Sequence, residues 1–175
     1  KYGEPRRTMF IYADEIADET EEEAVDNDPV HLFLTSEGYF KKIRPQSLRM
    51  SGDQKLKEGD SIKDHVETIG SAHILFFTNQ CQVYKTRASE FDDTKASLLG
   101  DYIPAKLSFD PDETIVSMVV TTDYSGFMLF AFDNGRVAKV PLSAYETKTK
   151  RKKLANAYCA KFPLVAALCL TEDAE

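Results

Sequence analysis

Three segments of this chain align without gaps, each an apolar strand, a short polar turn and a second strand with a lysine at one fixed place. They are Leu32-Phe33-Leu34-Thr35-Ser36-Glu37-Gly38-Tyr39-Phe40-Lys41-Lys42-Ile43, Leu75-Phe76-Phe77-Thr78-Asn79-Gln80-Cys81-Gln82-Val83-Tyr84-Lys85-Thr86 and Leu129-Phe130-Ala131-Phe132-Asp133-Asn134-Gly135-Arg136-Val137-Ala138-Lys139-Val140. Lys42, Lys85 and Lys139 fall in one column, Phe40, Val83 and Val137 in another, and the register continues to Leu48, Phe91 and Tyr145. The copies lie 43 and 54 residues apart, the size of a four-stranded blade. A hairpin repeated at this period predicts an all-β, propeller-like array of about three blades. A basic residue held at a constant place in it suggests positive charge presented along one rim, the alternative being lysines that serve solubility and edge protection.

The 175 residues are 42% hydrophobic and 29% charged, the balance of ordinary folded protein with room for one substantial core. The chain begins with Lys1 rather than methionine, so a piece of a longer protein is expected. No 18-residue apolar run and no charged-then-apolar leader is visible, so the reading includes no membrane span and no signal peptide. The three cysteines, Cys81, Cys159 and Cys169, show no CxxC spacing and read as reduced thiols of a cytosolic protein. His31, His65 and His73 are scattered without ligand spacing and read as strand-packed or surface residues, so no metal ligands are assigned.

The formal net charge of −7 is concentrated at one end. Residues 1–29 hold ten acids against three basic residues, and from Val30 onward nineteen acids balance nineteen Lys plus Arg. Whole-chain acidity therefore does not exclude nucleic acid as a partner of the remainder, because distribution decides.

Residues 1–29 read as a lead-in segment and acidic linker. Asp14 to Asp28 has too few apolar residues to offset its ordering entropy, which suits a solvated linker or frayed helix, or an acidic lid over the lysines. Residues 30–175 read as a partial array with repeats near 30–70, 71–124 and 125–175. Asp60–Val66, Asp112–Val120 and Leu164–Leu170 are each expected to supply a strand that closes one repeat. Lys148-Thr149-Lys150-Arg151-Lys152-Lys153 holds five positive charges in six residues and fits a solvated loop or a phosphate-contacting one.

The repeated turn with a following strand of the form G-x-v-K resembles the C-terminal domain of the A subunit of bacterial type IIA topoisomerases, DNA gyrase and topoisomerase IV. The residues that carry the resemblance are Thr35 to Lys42, Thr78 to Lys85 and Asp133 to Lys139, after a lead-in Lys1-Tyr2-Gly3-Glu4-Pro5-Arg6-Arg7-Thr8. The resemblance implies a β-pinwheel, a propeller-like disc whose four-stranded blades exchange strands. Its basic rim would bind and bend duplex DNA without sequence specificity, guiding it to the cleavage core during ATP-dependent strand passage. The implied partners are double-stranded DNA, an ATPase B subunit, plus the rest of the A subunit, in the cytoplasm at the nucleoid. Residues 46–59 lack the QRRGGKG box of gyrase A subunits, which shifts the implied activity towards topoisomerase IV or a divergent gyrase-like paralogue.

On this reading Lys42, Lys85 and Lys139 lie on or near the DNA-binding rim, with Lys41, Arg136, Lys148, Lys150, Arg151, Lys152 and Lys153 beside them. No GxSxG, HExxH, P-loop or Rossmann fingerprint occurs, so the chain is expected to do no chemistry itself and to need no cofactor. Asp110-Pro111-Asp112-Glu113 is expected to cap the strand that follows it. The alternative function is a protein-interaction propeller that does not bind DNA.

Overall fold

Residues 27–50, 53–147, 152–159 and 161–170 are described by a computed structural model. The expectations for residues 1–26 and for Lys148, Lys150 and Arg151 fall outside the described residues.

The repeated hairpins are β1 (Pro29–Thr35) with β2 (Tyr39–Ile43), β4 (His73–Thr78) with β5 (Gln82–Arg87), and β8 (Phe127–Phe132) with β9 (Val137–Pro141). In all three the alignment is a strand register, with Leu32 opposite Lys42, Leu75 opposite Lys85 and Leu129 opposite Lys139. The turns share one demanding backbone position, with φ of 90° at Gly38, 59° at Cys81 and 75° at Gly135. Glycine adopts that left-handed conformation without a Cβ penalty, and cysteine does not. Cys81 is held there from both sides. Its N–H donates to the Tyr158 hydroxyl at 3.2 Å, and its carbonyl accepts from the Ala157 N–H at 2.8 Å.

After each hairpin comes a third strand, β3 (Ile62–Ile69), β7 (Ile115–Thr121) or β11 (Leu164–Leu170), which pairs antiparallel with the first strand of its own hairpin. The fourth strand comes from the following repeat. β6 (Asp101–Tyr102) lies after the second hairpin but pairs with β2, and β10 (Lys153–Ala155) lies after the third but pairs with β5. The sheets therefore run β3-β1-β2-β6, β10-β5-β4-β7 and β11-β8-β9. Among the described residues β9 has no partner strand on its outer side.

Exchange of β6 requires close approach, and Gly100 permits it. At φ 87° a Cβ on Gly100 would stand 2.2 Å from the Phe40 carbonyl oxygen, far inside contact distance. Two short helices, α1 (Pro45–Arg49) and α2 (Ile103–Lys106), each begin with a proline in the first turn, where a missing N–H costs nothing.

The sheets stack face to face. Leu32, Leu34 and Phe40 of the first meet Ile74, Phe76, Tyr84 and Met118 of the second. The opposite face of the second sheet sends Leu75, Phe77, Val83 and Val119 against Met128, Phe130 and Phe132 of the third. The middle sheet is thus covered twice, which is why β4 reads as a continuous apolar run rather than alternating. Each large side chain so buried stabilises the stack by roughly 1.5–3 kcal/mol. Phe40 meets Phe76 edge to face across the first interface, with centroids 5.8 Å apart, and Phe77 meets Phe130 likewise across the second at 5.6 Å.

Candidate nucleic-acid interface

Alternation along a strand decides where each column residue points. The Lys42 column shares its face with Leu32 and Phe40, the face that meets the next sheet. Lys42 is accordingly buried, and its Nζ lies 3.1 Å from the Asp93 carboxylate. Burial raises the Asp93 carboxyl, but hydrogen bonds from Lys42 and Arg44 outweigh it and hold the group below its ordinary value. Lys85 repeats the arrangement one sheet later. It is half-buried and donates to the Thr147 carbonyl at 3.3 Å and hydroxyl at 3.0 Å, with its ammonium 5.4 Å from the Tyr124 ring centroid. Burial lowers its pKa.

Asp93 and Thr147 are themselves equivalent, each two residues past the aligned Phe91 and Tyr145. The column is therefore a recurrent latch in which each hairpin's lysine is received by the segment after the next hairpin. The expectation that Lys42 and Lys85 lie on or near an open rim is corrected, because the adjoining repeat stacks on the face they occupy. Lys41 is corrected more strongly. It is only 1% exposed, and its ammonium donates to Gln54 Oε1 at 3.3 Å, the Lys55 carbonyl at 2.7 Å and the Ala96 carbonyl at 3.3 Å. Burial pushes its pKa down.

Lys139 is exposed on β9, with Nζ 4.1 Å from the Phe127 ring centroid. Arg136 is exposed at the third hairpin, with its guanidinium 5.8 Å from the Phe162 centroid. Lys152 and Lys153 are exposed but ion-paired at 2.7 Å with Glu90 and Asp110, respectively. Exposed pairs of this kind are worth little in water. The candidate interface among the described residues thus comprises Arg136 and Lys139 on the third sheet and Lys152 and Lys153 leading into β10.

Arg87 belongs beside them and was not singled out from sequence. It is exposed at the end of β5. The signal was available, since Arg87 aligns with Arg44 two places past the lysine column. In the first repeat that position is closed off, because Arg44 bonds Asp93 and Asp28. The turn preceding β7 does cap its strand. Glu113 is buried and accepts from the Thr78 hydroxyl, from the Tyr84 hydroxyl at 2.8 Å and from the Asp110 N–H at 2.9 Å.

No protein-family profile matches the chain. By sequence it is 29% identical over 156 residues to the DNA gyrase A subunit of Streptomyces coelicolor, covering 84% of this chain and 18% of that protein. It is also 29% identical over 184 residues to the DNA gyrase A subunit of Mycolicibacterium smegmatis, covering 99% of this chain and 22% of that one. The chain spans about a fifth of the length of these relatives. The crystal structure of the C-terminal domain of a DNA topoisomerase IV superimposes with a TM-score of 0.74 at 25% identity, over 83% of this chain and 46% of that one.

The fold is accordingly a β-pinwheel, a propeller-like stack of strand-exchanging blades. The sequence resemblance to the C-terminal domain of type IIA topoisomerase A subunits is matched by relatives along the chain and by the solved fold.

Proposed function

We propose that this chain is a DNA-binding and DNA-bending domain of a type IIA topoisomerase A subunit, which guides duplex DNA to the cleavage core during ATP-dependent strand passage. An ATPase B subunit, together with the rest of the A subunit, makes up the enzyme, at the nucleoid in the cytoplasm. The observation that supports the reading best is the strand-exchanged blade stack, similar to the topoisomerase IV C-terminal domain, with exposed basic groups on its second and third sheets. Contact runs through Arg87, Arg136, Lys139, Lys152 and Lys153, with Lys148, Lys150 and Arg151 of the same basic run. These are phosphate contacts, so they position a duplex without reading its sequence. Where basic groups on successive sheets engage one duplex, the cost of bending it is offset by the added contacts.

The test is fluorescence anisotropy of the chain on a duplex of about 40 bp, well below the DNA persistence length, across a salt series. Binding whose log–log salt slope implies several neutralised phosphates supports the reading. No binding at low salt overturns it. That outcome would favour a protein-interaction disc, for which the exposed Val137, Val165 and Leu168 of the third sheet are the supporting observation.

A further inference from the structure

The outer face of the first sheet carries a cluster that the DNA reading does not use. His31 and Glu67 are directly opposite in the β1–β3 register, and His65 is opposite Phe33 one step along the same face. Residues far apart in sequence are thereby brought together. His31 Nδ1 lies 3.2 Å from His65 Nε2 and 3.5 Å from Glu67 Oε1, and the three donor atoms all fall within 4.8 Å of one another.

We propose that His31, His65 and Glu67 form a binding site for a divalent transition metal of the zinc class. Metal–ligand bonds of about 2.0–2.1 Å in a tetrahedron give ligand–ligand edges of about 3.3–3.4 Å. The two short distances bracket that value and the third pair lies within 4.8 Å, so one ion beside the three atoms engages all of them after side-chain rotation. Two imidazoles and one carboxylate are a donor set suited to zinc and its neighbours rather than to magnesium or calcium.

Phe33 stacks on His65 with centroids 4.2 Å apart and planes 4° from parallel, which holds that ring in place, and His31 meets it nitrogen to nitrogen with centroids 5.4 Å apart, so a turn of the His31 ring brings both nitrogens onto one ion. Burial is graded in the way a site with access needs. The His31 side chain is 14% exposed and that of Glu67 73%. Beside them runs a groove of about 580 Å³, lined by His31 and Glu67 together with Pro45, Leu48 and Arg49. Three protein ligands leave a fourth position for water on this open side. The metal would clamp β3 to β1 and order the rim of the first sheet.

Cobalt(II) is the informative probe, because its visible absorption reports coordination geometry and its near-ultraviolet absorption reports thiolate ligation. The 175-residue chain should bind one equivalent with the visible bands of a four- or five-coordinate ion and no thiolate charge-transfer band. Zinc(II) should displace it and raise the melting temperature. Glu67→Gln and His65→Ala should each weaken binding at least about tenfold, the loss seen even for groups one shell further from a metal. Glu67 is largely exposed, so Glu67→Gln keeps the fold and separates lost ligation from lost structure. Saturable binding unchanged in both variants, a thiolate band pointing to the cysteines, or no stoichiometric binding would each overturn the site. None of these outcomes bears on DNA affinity.

Discussion

Lys42 and Lys139 hold the same register position in two hairpins, opposite Leu32 and Leu129, and meet contrary surroundings. Lys42 is buried against Asp93, supplied by the segment after the next hairpin, and its strand β2 has β6 at its outer edge. Lys139 is exposed, and β9 carries no outer partner among the described residues. The repeat fixes where the lysine stands; the adjoining repeat fixes what it does. A lysine column in a strand-exchanging array is first a latch between blades, and it is available to a phosphate only where no following blade covers it.

The sharpest way to break the closed half is at Gly100. A methyl there would meet the Phe40 carbonyl oxygen at 2.2 Å and Lys41 Cγ at 2.7 Å, on a backbone already at φ 87°. Gly100→Ala should cost about 3 kcal/mol, combining left-handed strain with overpacking. Urea unfolding reads this directly, and a loss below about 1 kcal/mol would mean that β6 docks loosely. Next in size is the latch itself. Lys42→Met keeps the stem but leaves Asp93 without its buried cation, at a cost of about 2 kcal/mol. Lys139→Met should stay within about 0.5 kcal/mol, as surface changes do. Binding to DNA should rank the other way, with Lys139→Met weakening it and Lys42→Met leaving folded protein at wild-type affinity. Equal stability losses in the two variants would remove the latch assignment.

A smaller effect follows from Lys41. Burial lowers its pKa from the ordinary 10.5, so between the folded value and 10.5 the unfolded chain binds more protons than the native one. Stability contributed by this group therefore rises with pH through that window, and the full cost of burying the charge is felt below it. Tyr124 titrates the other way, pushed up to about 12 by burial, so the wild-type curve alone mixes both signs. The stability difference between wild type and Lys41→Met isolates the lysine, and it should grow in favour of wild type as pH rises from the folded value to the ordinary 10.5. A difference independent of pH would mean that the ammonium is solvated.

Much of this was legible because hairpins obey a strict period of two. The gap-free columns became pairs such as Leu75 with Lys85, and the aligned turn residues share one left-handed backbone. What the sequence left hidden depends on contacts between distant segments. Lys41 reads as one of a basic pair, and its burial is set by the Lys55 and Ala96 carbonyls. His31 and His65 show no ligand spacing along the chain, and only the β1–β3 register makes them neighbours. Two repeated clues went unread: Arg44 and Arg87, two places past the lysine column, and Asp93 and Thr147, two places past Phe91 and Tyr145, which receive the lysines.

A small change in stability is also expected in the turns that the repeats share. Cys81 holds φ 59° where its counterparts are Gly38 and Gly135, and its side chain packs at the edge of the second core. Cys81→Gly relieves the left-handed strain and gives up that modest packing, for a net gain of about 0.5 kcal/mol. Gly135→Ala supplies the control, since its φ is 75° and a Cβ there meets nothing within 4 Å. It should lose about 1 kcal/mol through backbone conformation alone. Thermal melts of the two variants and wild type would check the pair. A Cys81→Gly chain less stable than Gly135→Ala would show that the second turn is held by its side chain, through contacts the other two turns do not make.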